Sequence, residues 1–196
     1  MAPKRELGAG EVRELLIELG RRLQDKGVEA KIYIVGGAAI ALELDTRRVT
    51  ADIDAVFHPS TTVLEEAASM ADELDLPTNW LNNHAASFVP GDDHGAPALD
   101  VPGMSLSVAS PEHLLAMKMA SFRPGTDLTD LDFLFRHLGI TTAEQAADMA
   151  LAIYGEYSVV LPHRDELLLS AQIILDMAPA KPPKRRSRPP RKRGND

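Results

Sequence analysis

The chain has 196 residues, no cysteine and a net charge of −8 at pH 7, and this length can bury a core in one large or two small domains. The absence of cysteine excludes a disulfide framework and any thiolate metal site, and it favours a reducing compartment. The sequence shows neither an apolar run of the ~20 residues that a membrane span needs nor the apolar core of a signal peptide. We therefore expect a soluble cytoplasmic protein.

The charge is divided unevenly along the chain. Residues 179–196 hold eight of the 21 Lys and Arg residues and a single acid, whereas residues 1–178 carry a net charge of −15. Five prolines and the like charge predict that this tail is extended and disordered. We expect an electrostatic arm for nucleic acid, with a merely solubilising tail as the alternative. The residues assigned to the arm are Lys184, Arg185, Arg186, Arg188, Arg191, Lys192 and Arg193.

Hydrophobic spacing in the first part of the chain predicts helices that alternate with strands. Residues 10–26 carry apolar side chains at helical intervals. These are Val12, Leu15, Leu16, Leu19 and Leu23. Strands are predicted at 31–35 and 51–57, with a short helix at 38–45 between them. A further helix is expected from Ser60, whose hydroxyl would cap it.

Two glycines and two aspartates mark these predicted strands. Gly36 and Gly37 follow the first strand, and Asp52 and Asp54 alternate along the second, so both carboxylates are expected on one face. Adjacent carboxylates repel unless a divalent cation lies between them or one of them is protonated. The glycines allow backbone N–H groups to approach an anion closely. A phosphate-binding turn beside a magnesium-binding carboxylate pair is typical of phosphoryl or nucleotidyl transfer.

The segments around and after the second strand add polar candidates. Arg47 and Arg48 are expected either to contact phosphate or nucleic acid, or to be solvated. Trp80, the single tryptophan, is expected to pack the following connection onto the sheet. The run 92–94 (Asp-Asp-His) is interpreted as a polar loop rather than a metal cluster, because glycine and proline flank it.

The second half of the chain is predicted to be mainly helical. Short strands are expected at 98–101 and 105–109. Ser110 and Pro111 then supply an N-cap and a first helical residue. Further helices are predicted at 128–138, 142–154 and 164–177.

The helix that begins at Pro111 carries a lysine among apolar residues. Lys118 either requires a fixed anion or covers the core with its aliphatic stem. Arg123 is a candidate phosphate contact. Asp127 either supports the lysine or caps the next helix, and Asp130 would orient Lys118 or Arg123 through a charge-assisted hydrogen bond.

The order Val-Gly-Gly, short helix, Arg-Arg-Val-Thr and Asp-x-Asp over residues 35–54 resembles the nucleotidyltransferase fold, and within it the AbiEii and MenT group of toxins. Lys118 followed by Arg-Pro-x-x-Asp-x-x-Asp at residues 123–130 is similar to a pattern of the same group, and so is Trp-Leu-Asn-Asn at 80–83. The resemblance implies that Lys118 holds the triphosphate and that a downstream aspartate supports it. It also implies a third carboxylate beside the Asp-x-Asp strand. Asp100 is the acid that we predict there, and either it or a hydroxide on the metal would accept the proton of the attacking hydroxyl.

The predicted fold is therefore α/β (α+β), a small mixed sheet flanked by helices and followed by a C-terminal helical bundle. We divide it into 1–109, 110–178 and the tail 179–196. The resemblance implies Mg²⁺-dependent transfer of NMP from an NTP to the 3′ end of tRNA, by a monomeric toxin with a separate antitoxin. Two alternatives stay open. One is a small-molecule nucleotidyltransferase with an acidic pocket for an aminoglycoside, and the other is a catalytically degenerate nucleic-acid-binding module.

Overall fold

The computed structural model of the protein describes residues 5–177, so the basic tail and its seven assigned residues lie outside the described range. The helices are α1 (Ala9–Asp25), α2 (Gly36–Ala39), α3 (Ser60–Leu74), α4 (Pro111–Ala120), α5 (Leu128–Leu138), α6 (Ala143–Tyr154) and α7 (Arg164–Met177). A π-helix, Ile40–Leu44, continues α2, and a 3₁₀ helix spans His84–Phe88. The strands are β1 (Leu7–Gly8), β2 (Ala30–Ile34), β3 (Val49–Thr50), β4 (Ile53–His58), β5 (Leu81–Asn82), β6 (Ala98–Leu99) and β7 (Met104–Val108).

The central sheet has five strands in the order β5-β4-β2-β7-β6. Strand β2 pairs antiparallel with β4 and parallel with β7, β4 pairs parallel with β5, and β6 pairs antiparallel with β7. The short strands β1 and β3 form a separate antiparallel pair. A small mixed sheet flanked by helices and followed by a helical region confirms the predicted fold class.

Helix α1 covers the sheet with the apolar stripe that the spacing predicted. All five of its predicted core residues are buried. Charged side chains occupy its opposite face, where Arg22 reaches across to Glu73 on α3 with an Nη2–Oε2 distance of 2.8 Å. The alternation of apolar and polar faces is what fixes the orientation of this helix.

Trp80 holds the start of β4 in place. Its side chain is buried, and its indole Nε1 donates to the carbonyl oxygen of Ala67 on α3 at 2.9 Å. Its own carbonyl oxygen accepts a hydrogen bond from the backbone nitrogen of Ile53 at 2.7 Å. The predicted packing of this connection onto the sheet is confirmed, and it fixes the residue that lies between Asp52 and Asp54.

The helix starts in the second half are capped by side chains. The Ser110 hydroxyl accepts from the backbone nitrogen of His113, as predicted, and Thr142 forms a capping box with Gln145. Ser60 differs from the expectation, because it is the first helical residue of α3, follows Pro59 and makes no capping hydrogen bond. Pro59 takes the N-cap position in an extended conformation and has no side-chain acceptor, so the first N–H groups of α3 receive no side-chain cap.

One cluster of buried side chains extends from Leu7 to Ile174, so the sheet and the later helices share a core. The transition from β7 to α4 coincides with the predicted boundary at residue 109, although the division into domains stays a prediction. Within residues 5–177, none of the helices has both the length and the apolar character that crossing a membrane requires.

Candidate functional site

A cavity of about 530 Å³ opens beside the carboxyl end of β2. Four separate segments supply its wall, namely the turn after β2, the start of β4, the 3₁₀ helix and α4 with the residues that follow it. The polar lining comes from Gly36, Gly37, Asp54, His84, Lys118, Ser121 and Arg123. The apolar lining comes from Val35, Ala85, Phe88, Leu114, Met117 and Ala120.

Asp54 is half-buried at the start of β4, and Asp52 immediately precedes that strand. Burial raises the pKa of Asp54 above its usual range, and the nearby charge of Asp52 raises it further. The nearby His84 and Arg123 and the amide of Asn82 lower the same pKa. Asp52 lies in a bend rather than on the strand that was predicted to begin at residue 51, and its charge still acts on Asp54. That the two carboxylates share one face stays a prediction.

The two glycines pack closely against the segment that carries the carboxylates. Gly36 has a φ of +65°, in the left-handed region, and a Cβ built on it would lie 3.2 Å from Oδ2 of Asp54. A Cβ on Gly37 would lie 3.0 Å from Oγ1 of Thr50, whose hydroxyl donates to the carbonyl oxygen of Asp52 at 2.8 Å. The turn after β2 therefore packs directly against the Asp-x-Asp segment, and a Cβ at either glycine would require Asp54 or Thr50 to shift by a few tenths of an ångström.

Asp127 connects the two cations of the cavity. Its Oδ1 lies 3.1 Å from Nζ of Lys118, and its Oδ2 accepts from the backbone nitrogen of Arg123 at 2.9 Å and from Nε of Arg123 at 3.2 Å. Burial alone would raise the pKa of Asp127, but Arg123 and Lys118 hold it below the usual range. Asp127 is the N-cap residue of α5, as the capping alternative places it, but its side chain makes no capping hydrogen bond and is used by Lys118 and Arg123 instead.

Asp130 links Lys118 to the loop before β4. Its Oδ2 lies 2.9 Å from Nζ of Lys118, and its Oδ1 lies 2.8 Å from Nη1 of Arg48. The guanidinium of Arg48 also stacks 5.5 Å above the ring centroid of Phe133, and its side chain is 26% exposed. Of the two partners expected for Asp130, the structure therefore places Lys118 against it.

The two neighbouring arginines have different surroundings. The guanidinium of Arg48 pairs with Asp130 and is only partly exposed, so the solvated alternative is wrong, and its predicted contact with phosphate or nucleic acid stays a prediction. Arg47 is 89% exposed and pairs with Asp45 at 2.9 Å. Its predicted contact with nucleic acid stays a prediction.

The prediction that Asp100 is a third carboxylate is wrong. Asp100 is exposed and follows β6, which β7 and β2 separate from β4. The register pairs Leu99 with Leu106, which places Asp100 toward the end of the sheet where β2 begins. Asp54 lies at the other end, where its carbonyl oxygen accepts from the backbone nitrogen of Val35, just after β2. Chain order alone suggested adjacency, whereas the strand order separates the two acids.

On the side of β4 away from β2 lies β5, where Asn82 pairs with Asp54. The sequence pattern Trp-Leu-Asn-Asn pointed to this segment but did not place any of its residues in the site. His84 and Phe88 of the cavity wall were missed as well. The sequence did contain a signal for this placement. The segment is the next strand after β4 and α3 in the chain, and sequential strands are often neighbours in a sheet.

A second polar cluster anchors the loop after β5. Asp93 is buried and accepts hydrogen bonds from Oη of Tyr33 and the backbone nitrogen of Ser110, both at 2.8 Å. Burial and this carboxylate raise the pKa of Tyr33. Asp92 and His94 are exposed. Within residues 5–177 no group of three or more potential metal ligands is found, so the polar side chain at 93 serves to fix the loop.

Residues 13–134 match the family described as "Nucleotidyltransferase of unknown function (DUF6036)". The match covers more than half of the chain and includes every cavity residue and every partner of Lys118 described above. The chain therefore belongs to this nucleotidyltransferase family.

The chain is also similar to a crystal structure of an antigenic nucleotidyltransferase-like protein from Paracoccidioides brasiliensis, with 18% sequence identity and a TM-score of 0.42. That similarity covers 68% of this chain and 79% of the other. No curated protein matches the sequence.

Proposed function

We propose that the protein transfers a nucleoside monophosphate from a magnesium-bound NTP to an acceptor hydroxyl. The observation that carries this proposal is one cavity that gathers Asp54, the two glycines, Lys118 and Arg123 from three separate segments. Its size suits a small-molecule ligand of nucleotide dimensions. Membership of a nucleotidyltransferase family supports the same general activity.

The carboxylates fit magnesium by their chemistry. Mg²⁺ prefers oxygen ligands and is usually held by one or two carboxylates together with substrate phosphates. Asp52 and Asp54 provide two carboxylates. Burial raises the pKa of Asp54, and repulsion from Asp52 raises it further. The cation would supply charge neutralisation on the triphosphate and stabilisation of the charge that develops during transfer.

The cations of the cavity are suited to the triphosphate. Lys118 is fixed between Asp127 and Asp130, so its position is set before any ligand binds, which lowers the cost of organising the site. Arg123 contacts Asp127 on one side while its side chain stays 71% exposed. The first N–H groups of the helix at Gly36 lack partners within that helix and suit an anion. Phe88 offers an aromatic surface for a base.

The acceptor that we propose is the 3′ end of tRNA, and the biological role is that of a cytoplasmic toxin restrained by an antitoxin. The resemblance of residues 35–54 and 118–130 to the AbiEii and MenT group supports this assignment. The eight cations of residues 179–196 support it as well, because a polyanionic acceptor is attracted by a basic segment whereas a cationic aminoglycoside is not.

The test is incubation of the full chain with Mg²⁺, each labelled NTP in turn and total tRNA, beside the Asp54→Asn variant. We expect label on tRNA that requires Mg²⁺ and is lost in the variant. Expression in bacteria is expected to arrest growth, and the variant is expected to relieve the arrest.

Two results would overturn parts of this proposal. Mg²⁺-dependent NTP binding without any labelled RNA would remove the tRNA and toxin roles and direct the search to small-molecule acceptors. Absence of NTP binding would remove the enzymatic proposal and leave the nucleic-acid-binding module.

A further inference from the structure

Asn82 occupies the position next to Asp54 on the neighbouring strand. The parallel pairing of β4 and β5 places the two residues directly opposite each other, and side chains at paired positions lie on the same face of a sheet. Asn82 is only 4% exposed. A buried polar side chain beside a catalytic carboxylate therefore shapes the environment of that carboxylate.

The orientation of the Asn82 amide is fixed by its own hydrogen bonds. Its Oδ1 accepts from the backbone nitrogen of His84 at 3.0 Å, and a backbone N–H can only donate. Its Nδ2 donates to the carbonyl oxygen of Asn79 at 3.5 Å. The NH₂ group, with a second hydrogen to offer, is consequently the end of the amide that is left to donate to Asp54 on the paired strand.

We infer that Asn82 is a positioning residue that orients Asp54 and restricts the protein's share of the magnesium ligands to two carboxylates. This inference rests on the proposed function. A cation held by two carboxylates binds firmly only when phosphates complete its coordination, so Asn82 makes metal binding depend on the nucleotide.

The substitution Asn82→Asp tests this directly because aspartate has almost the same shape as asparagine. It would bring a third carboxylate to the cavity and create a site with more oxygen ligands and more negative charge, features that strengthen binding of hard cations. A gain in metal affinity would show that the side chain at position 82 faces the cation beside Asp54, and the Asn82→Ala variant described below tests the positioning role itself.

The matched control is Asn83→Asp, which adds the same charge one residue along at an exposed position. Binding of Mn²⁺ alone, followed by electron paramagnetic resonance on the full chain, is the measurement, since Mn²⁺ takes the same oxygen ligands. We expect Asn82→Asp to bind Mn²⁺ at least about tenfold more tightly than the wild type, and Asn83→Asp to change the affinity less than about twofold. Thermal unfolding establishes that each variant is folded.

A second variant covers the case in which Asn82→Asp fails to fold. Asn82→Ala leaves Asp54 without its amide, and we expect kcat to fall about tenfold while KM for the NTP changes little. Equal Mn²⁺ affinity in the two aspartate variants, or an Asn82→Ala enzyme with unchanged kcat, would overturn the inference. The proposed function fails separately, if wild type and Asp54→Asn bind Mn²⁺ and NTP equally.

Discussion

Asp54 is the residue at which function and stability oppose each other. A half-buried carboxylate beside a second carboxylate disfavours its own charge, and the raised pKa of Asp54 reports that cost. The favourable contacts with Asn82, Arg123 and His84 offset only part of it. Such strained groups are characteristic of functional sites, where local stability is sacrificed for chemistry.

We therefore expect Asp54→Asn to stabilise the metal-free protein at pH 7.5. The pKa of Asp54 in the folded state lies above its ordinary value of 3.8. The free energy of unfolding therefore falls as the pH rises from 3.8 through the folded-state pKa, because ionisation is less favourable in the folded protein. The gain should be on the order of 1 kcal/mol, or a rise in Tm of about 2–4 °C for a chain of this size.

Thermal unfolding in EDTA at pH 7.5 and at pH 4 measures this effect. The gain should shrink at pH 4, where a larger fraction of the wild-type carboxyl is protonated than at pH 7.5. Asp100→Asn, an exposed carboxylate remote from the site, is the control and should leave Tm unchanged at both values. An equal gain for Asp54→Asn at both values would contradict the electrostatic explanation.

Gly36 allows a second test at the scale of one residue. Gly36→Ala introduces a Cβ at a φ of +65° and 3.2 Å from Oδ2 of Asp54, whereas Gly27→Ala introduces one at a φ of +68° with nothing within 4 Å. Both variants should lose about 1–2 kcal/mol of stability from the backbone conformation. Only Gly36→Ala should weaken Mg²⁺-dependent binding of a fluorescent NTP, by about tenfold or more. Equal losses of binding in both variants would mean that strain alone is responsible.

At the scale of elements, a chain of ion pairs connects the strand side of the cavity with the helical side. Arg48 precedes β4, Asp130 belongs to α5, and Lys118 belongs to α4. Because Asp130 uses one oxygen for each cation, the position of Lys118 depends on the loop that carries Arg48.

We predict that Arg48→Met weakens NTP binding although Arg48 does not line the cavity. The variant removes a partner of Asp130 and the stacking on Phe133, which should lower the free energy of unfolding by about 1–2 kcal/mol and NTP affinity by about fivefold. Arg47→Met, the exposed neighbour, should change neither quantity. Urea unfolding and NTP titration separate the two variants. If both arginines instead affect only RNA binding, the positioning role is excluded.

The sequence predicted the positions of the helices and strands better than it predicted which strands lie side by side. The apolar stripe of α1 and the Ser110 cap follow from local spacing and local hydrogen bonds, so both could be predicted. The lateral order of strands depends on contacts distant in sequence, which is why Asp100 was placed beside Asp54 and Asn82 was not. The partners of Arg48 were not predicted for the same reason, since Asp130 and Phe133 come more than 80 residues later in the chain.

The whole molecule combines an acidic body with a basic tail. Residues 1–178 carry a net charge of −15 and residues 179–196 a net charge of +7. An acidic surface repels RNA at long range, so the tail would have to supply most of the electrostatic attraction for a tRNA acceptor. The proposed nucleotide, by contrast, would bind in a cavity that carries its own cations, Lys118 and Arg123. The two binding events should therefore respond independently to changes in the tail.

Removal of residues 179–196 is expected to weaken tRNA binding and to leave NTP affinity unchanged. The logarithm of the RNA affinity falls linearly with the logarithm of the salt concentration, by about 0.7–0.9 per phosphate contact. If the tail neutralises about five phosphates, the slope should become less negative by about 4 when it is removed. A variant that keeps the length but replaces the eight Lys and Arg residues of this segment by Gln should behave like the truncation. Filter binding of labelled tRNA from 50 to 200 mM salt gives the slopes. An unchanged slope in both variants would show that the tail makes no phosphate contacts. The acceptor would then be recognised by residues 1–178 alone.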